Sequence, residues 1–314
     1  MRAAGVTTYG GPFESFDVPD PDPSTLADGQ VIVRVAAAGM GLWDDAIGAG
    51  ALGTEPPAPR VLGSEGSGVI DAVGPGVEGL TVGDRVLGYD HAGAWYAERT
   101  VALAGALARI PDQLDLETAA ALPIGGVTAV QGLLEDVRLQ AGESILVGGA
   151  AGGTGALVVQ LAHHLGARVI ATAGPANLDY ARSVGADLVL DHTHGVKATV
   201  DAVRAFAPGG VDVLVDGVSP ENVVALSEAV RDGGRVETLT FPLPDLRPDL
   251  RGFQMVSKAT PERLAEVLRL ATEGVLQPVV RHVFGLGDAA KAHEILSTRH
   301  GRGKILLAPN GDLR

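Results

Sequence analysis

Residues 145–174, ILVGGAAGGTGALVVQLAHHLGARVIATAG, decide the fold of this chain. A short β-branched run stops at Gly148 and Gly149, and an apolar pattern with helical spacing then begins near Thr154. A second strand-like run follows at 169–171. This order predicts a strand, a glycine-rich turn, a helix and a second strand that runs parallel to the first.

Three glycines in the turn, Gly149, Gly152 and Gly155, have the spacing G-x-x-G-x-x-G. Glycine permits a tight turn and lets a pyrophosphate approach backbone N–H groups, and the start of a helix presents further unpaired N–H groups. Because the triplet lies between a strand and a helix in a unit of about 30 residues, it predicts dinucleotide binding. The alternative is a tight turn that binds no ligand.

Composition limits the class of protein. The chain has 314 residues, 46% of them hydrophobic and 20% charged, which is enough for two domains with cores of their own. A net charge of −14 argues against nucleic-acid and anionic-membrane partners. The absence of cysteine excludes disulfides, thiolate zinc ligands and cysteine nucleophiles.

No apolar leader precedes the first strand-like residues, and glycines and charges interrupt the apolar stretch 144–173. We therefore expect neither a signal peptide nor a membrane span, and we expect a cytoplasmic protein.

The pattern of predicted elements changes along the chain. Residues 1–110 are β-rich, with short strands predicted at 30–37, 68–73 and 84–87. A helical region at 116–134 is broken around 123–126. From residue 143 strands and helices alternate, which predicts an α/β fold with a doubly wound parallel sheet. The predicted strands are 144–148, 168–173, 187–190, 211–215 and 234–240, and the helices are 154–165, 175–184, 196–206 and 220–231. Two further helices, 261–274 and 287–298, precede a last strand, 303–308, that we expect to return to the first domain.

Three stretches together resemble the medium-chain dehydrogenase/reductase superfamily over nearly the whole chain. They are VLGSEGSGVIDAVGPGVEGLTVGDRV at 61–86, AAALPIGGVTAVQ at 119–131, and the glycine loop. The resemblance implies a β-rich GroES-like catalytic domain formed by 1–115 and 257–314. It also implies a Rossmann nucleotide-binding domain formed by 116–256.

In the zinc alcohol dehydrogenases of this superfamily a cysteine and a histidine of the first domain hold zinc, and the matching positions here are Gly41 and Ser64. The chain thus resembles the zinc-independent quinone oxidoreductase branch, which includes quinone reductases, alkenal and enone reductases, and enoyl reductase modules of polyketide synthases. Alcohol oxidation in this fold needs a Lewis acid. We therefore expect no metal, and hydride transfer to a quinone or an α,β-unsaturated carbonyl.

The expected cofactor is NADPH, with NADH left open. The strand predicted at 168–173 ends without the acidic residue that commonly binds the ribose of NAD, and Asp179 comes later, on a helix. The lysine that related quinone reductases carry near Asn177 and Leu178 is also missing. Arg182 is a possible phosphate partner, although a solvated helix face explains it equally well.

Several positions are expected to contact the cofactor. In the family, the threonine that matches Thr128 lies near the nicotinamide carboxamide; a threonine that caps its own helix is the alternative. The remaining predicted contacts are the loop residues Ala151, Gly152, Gly153 and Thr154 and the strand-end residues Thr172, Ala173, His192, Val218, Leu239 and Thr240.

The substrate pocket is predicted at Met40, Gly41, Leu42, Trp43, Ile47 and Trp95. Trp43 is suited to stacking on a planar ring, with core packing as the alternative. No proton donor can be assigned. Asp44, His91 and Tyr96 are weak candidates, since a hydrogen bond to a turn explains Asp44, an exposed loop position explains His91, and bulk water can supply the proton.

Two expectations concern partners. By analogy with the family we expect a homodimer joined at the sheet edge near 251–256. Besides a quinone or enone reductase, two alternatives remain: an enoyl or alkenal double-bond reductase of a biosynthetic pathway, and a non-catalytic NADPH-binding sensor or structural protein.

Overall fold

The fold is taken from a computed structural model, which describes residues 1–51, 57–91 and 93–311. The strands in chain order are β1 (Arg2–Val6), β2 (Phe13–Asp17), β3 (Gln30–Met40), β4 (Arg60–Val61), β5 (Glu65–Val73), β6 (Arg85–Tyr89), β7 (Arg99–Leu103), β8 (Leu107–Arg109), β9 (Ser144–Gly148), β10 (Arg168–Ala173), β11 (Leu188–Asp191), β12 (Val211–Asp216), β13 (Val230–Thr238), β14 (Arg251–Gln254), β15 (Val280–Phe284) and β16 (Lys304–Leu307). The α-helices are α1 (Leu42–Gly48), α2 (Leu116–Ala120), α3 (Pro123–Val130), α4 (Gly153–His164), α5 (Leu178–Ser183), α6 (Val196–Phe206), α7 (Pro220–Ser227), α8 (Pro261–Thr272) and α9 (Ala289–Ser297).

A parallel sheet of six strands occupies the middle of the chain, in the order β11-β10-β9-β12-β13-β14. Its first strand, β9, is central, so the strand order reverses between β9 and β12. Ligands of open α/β sheets bind outside the carboxyl ends of the strands at such a reversal. The predicted doubly wound α/β fold is confirmed.

Some predicted boundaries in this sheet were wrong. β13 begins at Val230 rather than at 234, because Val230 pairs with Val211 before an irregularity in the register. α7 ends correspondingly early, at Ser227. Gly233 and Gly234, at the start that the sequence predicted, lie inside the strand.

A second sheet, in the order β15-β16-β3-β5-β6-β8 with β7 also paired to β3, forms the β-rich part of the molecule. β16 pairs antiparallel with β3, Ile305 opposite Met40, so the last strand returns to the first part of the chain as expected. A small sheet of β2, β1 and β4 lies beside it. The sequence patterns predicted neither β1 nor β2.

The division into 1–115 with 257–314 and 116–256 stays a prediction. Helix α8 lies in the segment assigned to the catalytic domain, but its Leu264, Val267 and Leu268 pack into the core of the parallel sheet. We therefore propose that residues 261–276 belong with the nucleotide-binding part.

The helical region at 116–134 is broken between α2 and α3, where Pro123 starts a new helix. α3 then continues into a π-helical turn, Gln131–Asp136. No helix in the described part of the chain is both long and apolar enough to cross a bilayer.

Candidate active site

The glycine loop joins β9 to α4 at the reversal point of the parallel sheet. Gly149 has φ +71°, a conformation that favours glycine, and the Ala150 N–H donates to the Thr172 carbonyl of β10 (3.1 Å). α4 starts at Gly153 after Gly152, and no side chain caps its first N–H groups. These groups and the positive end of a twelve-residue helix therefore lie where the carboxyl edge of the parallel sheet meets β16 of the β-rich part, a region called the cleft below, and are available to an anion.

Three glycine positions of the loop differ in how much space they leave for a side chain. A Cβ on Gly155 would lie 2.3 Å from the Gly149 carbonyl oxygen, so this glycine lets α4 pack against the loop. A Cβ on Gly152 would meet nothing closer than 3.4 Å, so that face is open. At Gly153 a Cβ would lie 2.7 Å from Cδ of Lys304, so a bulky residue there would strike the lysine rather than fill the space of the pyrophosphate.

The predicted strand-end residues lie at the same edge of the sheet. Thr172 and Ala173 end β10, and His192 follows β11, close enough to face Gly174. Val218 follows β12 and its methyl group covers Gly149, while the side chain of Leu239, after β13, covers Gly217. Thr240 is held beside them by hydrogen bonds with Thr238.

Thr128 lies on α3, where it is buried. One turn earlier Gly125 packs on the start of α4, since a Cβ there would lie 3.5 Å from Cα of Thr154. Among the described residues the Thr128 hydroxyl has no hydrogen-bond partner, so the structure gives no support to a helix-capping role. The hydroxyl is available to an amide, for which it can both donate and accept.

A dinucleotide fits this edge on two observations: the open face at Gly152 and the uncapped N–H groups of α4. Ala151, Gly152, Gly153 and Thr154 would hold the pyrophosphate. The side chains that follow β12 and β13 would lie beside the nicotinamide half.

The opposite wall of the cleft contains a buried carboxylate, Asp44, on α1. Its Oδ2 accepts hydrogen bonds from the Tyr96 hydroxyl (2.6 Å) and the Gly41 N–H (3.0 Å), and its Oδ1 accepts one from the Ser64 hydroxyl (3.2 Å). Gly41 and Ser64 are the two positions that match zinc ligands in the zinc-dependent relatives. Here both are hydrogen-bonded to Asp44.

These contacts determine the state of the weak catalytic candidates. Burial raises the pKa of Asp44 to about 6, although the hydrogen bond from Tyr96 lowers it. Burial and the adjacent Asp44 carboxylate raise the pKa of Tyr96 well above its usual value. Tyr96 is fully buried and Asp44 is 3% exposed, so neither reaches the open cleft. Their arrangement supports a structural role for both residues.

A buried ion pair connects the β-rich part of the molecule to the starts of α3 and α4. The sequence patterns did not predict it. Lys304 of β16 pairs with Glu65 of β5, which is fully buried. The second oxygen of Glu65 accepts the N–H of Ile124 at the start of α3 (2.7 Å), and the stem of Lys304 lies against Gly153. The sequence feature that could have indicated this ion pair is the lysine in the apolar run GKILLA, in a chain with few lysines.

The predicted pocket residues separate into two groups. Met40, Ile47 and Trp95 are buried in the core of the β-rich part, where packing accounts for them. Leu42 is 38% exposed, and Trp43 is half-buried and packs against the edge of the same core, as the core-packing alternative expected. Gly41 has no side chain to contribute and is the N-cap residue of α1.

Trp43 is the residue of α1 whose ring contacts residues from both parts of the molecule. Its ring centroid lies 5.3 Å from that of His91 and 6.0 Å from that of Phe241, which follows β13. The indole Nε1 is buried and has no hydrogen-bond partner among the described residues. Trp43 therefore packs against aromatic rings that follow β6 and β13, and its indole carries a buried donor with no partner in the described part of the chain.

His91 is partly buried rather than an exposed loop residue. Its Nε2 lies 3.0 Å from the Ser257 carbonyl oxygen, and the Tyr89 hydroxyl lies within 3.0 Å of both ring nitrogens. Since a carbonyl can only accept, we assign the proton to Nε2 and the Tyr89 hydroxyl to Nδ1. Both nitrogens are then engaged, and His91 is held in place rather than free to supply a proton.

Within residues 1–51, 57–91 and 93–311, no three histidine, aspartate or glutamate side chains come together as a metal-binding group.

Two family models match the chain: "Alcohol dehydrogenase GroES-like domain" over residues 27–112 and "Zinc-binding dehydrogenase" over 184–307. A quinone oxidoreductase of Sus scrofa is 31% identical over 324 residues, which cover 98% of this chain and 97% of that protein. The chain therefore belongs to the medium-chain dehydrogenase/reductase superfamily, on its quinone oxidoreductase-like branch.

Larger proteins and solved structures are also similar. The spectinabilin polyketide synthase protein NorB of Streptomyces orinoci is 35% identical over 296 residues, 90% of this chain, and the chain spans only 13% of that protein. The quinone oxidoreductase of Escherichia coli complexed with NADPH superposes with a TM-score of 0.89 at 26% identity, covering 98% of this chain and 100% of that one.

Proposed function

We propose that this protein is an NADPH-dependent, metal-free reductase that delivers hydride to a quinone or an α,β-unsaturated carbonyl. The observation that carries the proposal is Trp43, whose ring centroid lies 6.0 Å from that of Phe241 and whose buried Nε1–H has no partner among the described residues. A buried donor without a partner costs about 1–3 kcal/mol, and the carbonyl oxygen of a flat acceptor would satisfy it.

Residues of the chain would position both reactants. The N–H groups at the start of α4 would bind the pyrophosphate, and the Thr128 hydroxyl would orient the carboxamide. The aromatic rings of Trp43, Phe241 and His91 would align the acceptor and exclude water. NADPH supplies the hydride when bound, so the protein contributes orientation and a hydrogen bond to the acceptor oxygen.

The proton that completes the reduction would come from water. Asp44 and Tyr96 are buried in one hydrogen-bonded cluster, and His91 is engaged at Nε2 by the Ser257 carbonyl and at Nδ1 by the Tyr89 hydroxyl. The metal-free proposal is supported by Ser64, whose hydroxyl is bonded to Asp44, and by Gly41, which has no side chain.

One alternative function is favoured by a specific observation. A double-bond reductase of a biosynthetic pathway is favoured by the 35% identity to a polyketide synthase protein. A homodimer and a cytoplasmic location remain proposals; β14 is the edge strand of the parallel sheet, and its Arg251 and Gly252 are exposed.

The test is steady-state NADPH oxidation by chelator-treated protein with a panel of quinones and enones. We expect acceptor-dependent turnover that zinc does not increase. Trp43→Phe keeps a ring but removes the donor, so it should raise the acceptor KM about threefold to tenfold and leave the NADPH Kd unchanged. Tight NADPH binding without turnover of any acceptor would favour the sensor alternative and contradict the proposal.

A further inference from the structure

The cation expected beside the 2′-phosphate of NADPH is missing from the positions where the sequence suggested it. Leu178 replaces the lysine of related reductases, and Arg182 forms an ion pair with Asp179 (2.6 Å) on an exposed helix face. Arg182 is therefore neutralised locally. A cation for this phosphate has to come from another segment of the chain.

Backbone contacts of the neighbouring residue place Arg302 close to the glycine loop. The next residue, Gly303, donates its N–H to the Ala151 carbonyl of the glycine loop (3.0 Å) and forms an isolated parallel bridge with Gly152. Arg302 thus directly precedes a residue that lies against the predicted pyrophosphate loop.

Its side chain is directed to the adenosine end of the cofactor edge. The guanidinium carbon of Arg302 lies 5.5 Å from the ring centroid of Tyr180, in the first turn of α5. That helix follows β10, whose carboxyl end is where the ribose lies in a Rossmann domain. Tyr180 is two residues beyond Leu178, so the arginine reaches the neighbourhood of the missing lysine from the opposite direction.

The charge of Arg302 is available for a ligand. In the described part of the chain no carboxylate forms an ion pair with it, and its side chain is exposed. The Tyr180 ring holds the guanidinium by a cation–π contact while leaving its N–H donors free. In a chain with a net charge of −14, such an uncompensated cation at the cofactor edge is suited to an added phosphate.

We infer that Arg302, positioned by Tyr180, binds the 2′-phosphate and makes the protein select NADPH over NADH. The inference rests on the proposed NADPH dependence. It adds a specificity-determining residue from the return segment before β16, in place of a basic residue on α5.

Equilibrium binding of NADPH and NADH, followed by nicotinamide fluorescence, tests the inference without any acceptor. Arg302→Leu should weaken NADPH binding about 10- to 100-fold, as expected for loss of a charge-assisted hydrogen bond, and change NADH binding less than about twofold. Arg302→Lys should retain part of the preference. Tyr180→Leu, which removes the ring, should lose part of the NADPH affinity.

Arg168→Leu is the matched control, because Arg168 makes the same 5.5 Å contact with the Phe206 ring at the other end of β10. It should leave both affinities unchanged. An equal loss of NADPH and NADH binding in Arg302→Leu, or no loss of NADPH binding, would overturn the inference.

A competition experiment on the unaltered protein removes the dependence on variant folding. Adenosine 2′,5′-bisphosphate should displace NADPH at lower concentration than 5′-AMP does. Equal potency of the two would also overturn the inference. Failure of every acceptor to turn over, with this selectivity intact, would contradict the proposed reaction alone.

Discussion

The two walls of the cleft are built on different principles. The cofactor wall consists of backbone: a turn with a positive φ at Gly149, an open face at Gly152 and the uncapped start of α4. The acceptor wall consists of side chains, among them two buried carboxylates: Asp44, which is hydrogen-bonded to Tyr96, and Glu65, which is ion-paired with Lys304. A backbone site is encoded by neighbouring glycines, whereas a side-chain site depends on contacts between distant parts of the chain.

The strongest test of the backbone wall is Gly155→Val. A Cβ at this position would lie 2.3 Å from a backbone oxygen, which cannot move aside without reshaping the loop. We expect NADPH affinity to fall more than about 100-fold and stability to fall by about 5 kcal/mol, measured by fluorescence titration and urea unfolding. Gly152→Ala is the control for folding, since its Cβ has room. Normal cofactor affinity in Gly155→Val would refute the assignment of the loop.

The next largest effect is expected at the ion pair of the acceptor wall. Lys304→Met keeps the apolar stem against Gly153 but leaves the buried Glu65 carboxylate without its ion-pair partner. It should lower the free energy of unfolding by about 4 kcal/mol. Combining it with Glu65→Gln should recover part of that loss, because no charge is then left unpaired. A double variant with the full sum of both losses would show that the pair is not coupled.

Glu237 provides a contrast with the paired carboxylates. It is buried on β13, and its Oε1 has no hydrogen-bond partner among the described residues. Burial and the neighbouring Asp136 carboxyl raise the pKa of Glu237 to about 8. The folded protein therefore holds this proton more tightly than the unfolded chain does, and stability should fall as the pH rises from about 4.5 to about 8.

Glu237→Gln should remove that dependence on pH. The variant should be more stable than the unaltered protein at pH 9, by about 3 kcal/mol, and the difference should shrink toward pH 5. Urea unfolding at a series of pH values measures it. A variant that is less stable at every pH would mean that Glu237 is ionised and paired in the folded protein.

A smaller effect is expected at Tyr96. Tyr96→Phe removes the 2.6 Å hydrogen bond to Asp44 without changing the packing of the ring. The loss of stability should be about 2 kcal/mol at pH 8, where Asp44 is charged, and about 1 kcal/mol at pH 5, where it is mostly protonated. Equal losses at both pH values would show that Asp44 does not titrate between them.

The smallest effect is expected at Thr128. Thr128→Val keeps the shape of the side chain and removes the hydroxyl, so the affinity for NADPH should fall about threefold to tenfold. Because NADPH and NADH share the carboxamide, both affinities should fall by the same factor, unlike in Arg302→Leu. A loss confined to NADPH would place Thr128 near the 2′-phosphate instead.

The contrast between the walls also explains what the sequence could predict. The strand, loop and helix around Gly149 follow from local periodicity and turn chemistry, and the structure places β9 and α4 within a residue of the predicted limits. Asp44, by contrast, meets partners 20 and 52 residues away, Ser64 and Tyr96. No local pattern carries such a distance, so the sequence suggested Asp44 and Tyr96 only as separate weak candidates.

Local sequence patterns also did not determine the direction in which a side chain points. Trp95 and Trp43 were both placed in the substrate pocket, yet Trp95 is 1% exposed in the β-rich core, whereas Trp43 lies at the edge of that core against Phe241. Arg302 is separated from Tyr180 by more than a hundred residues and meets it only because β16 returns to β3. The return strand was predicted, but the contact it creates was not.

The most direct test of the proposed reaction is the fate of the transferred hydrogen. The protein is incubated with NADPH deuterated at the reactive carbon of the nicotinamide and with an enone acceptor, and the product is examined by mass spectrometry and NMR. We expect a saturated ketone with one deuterium on the β-carbon and a solvent proton on the α-carbon. Deuterium that stays in NADPH while the enone and a panel of quinones remain unreduced would contradict it.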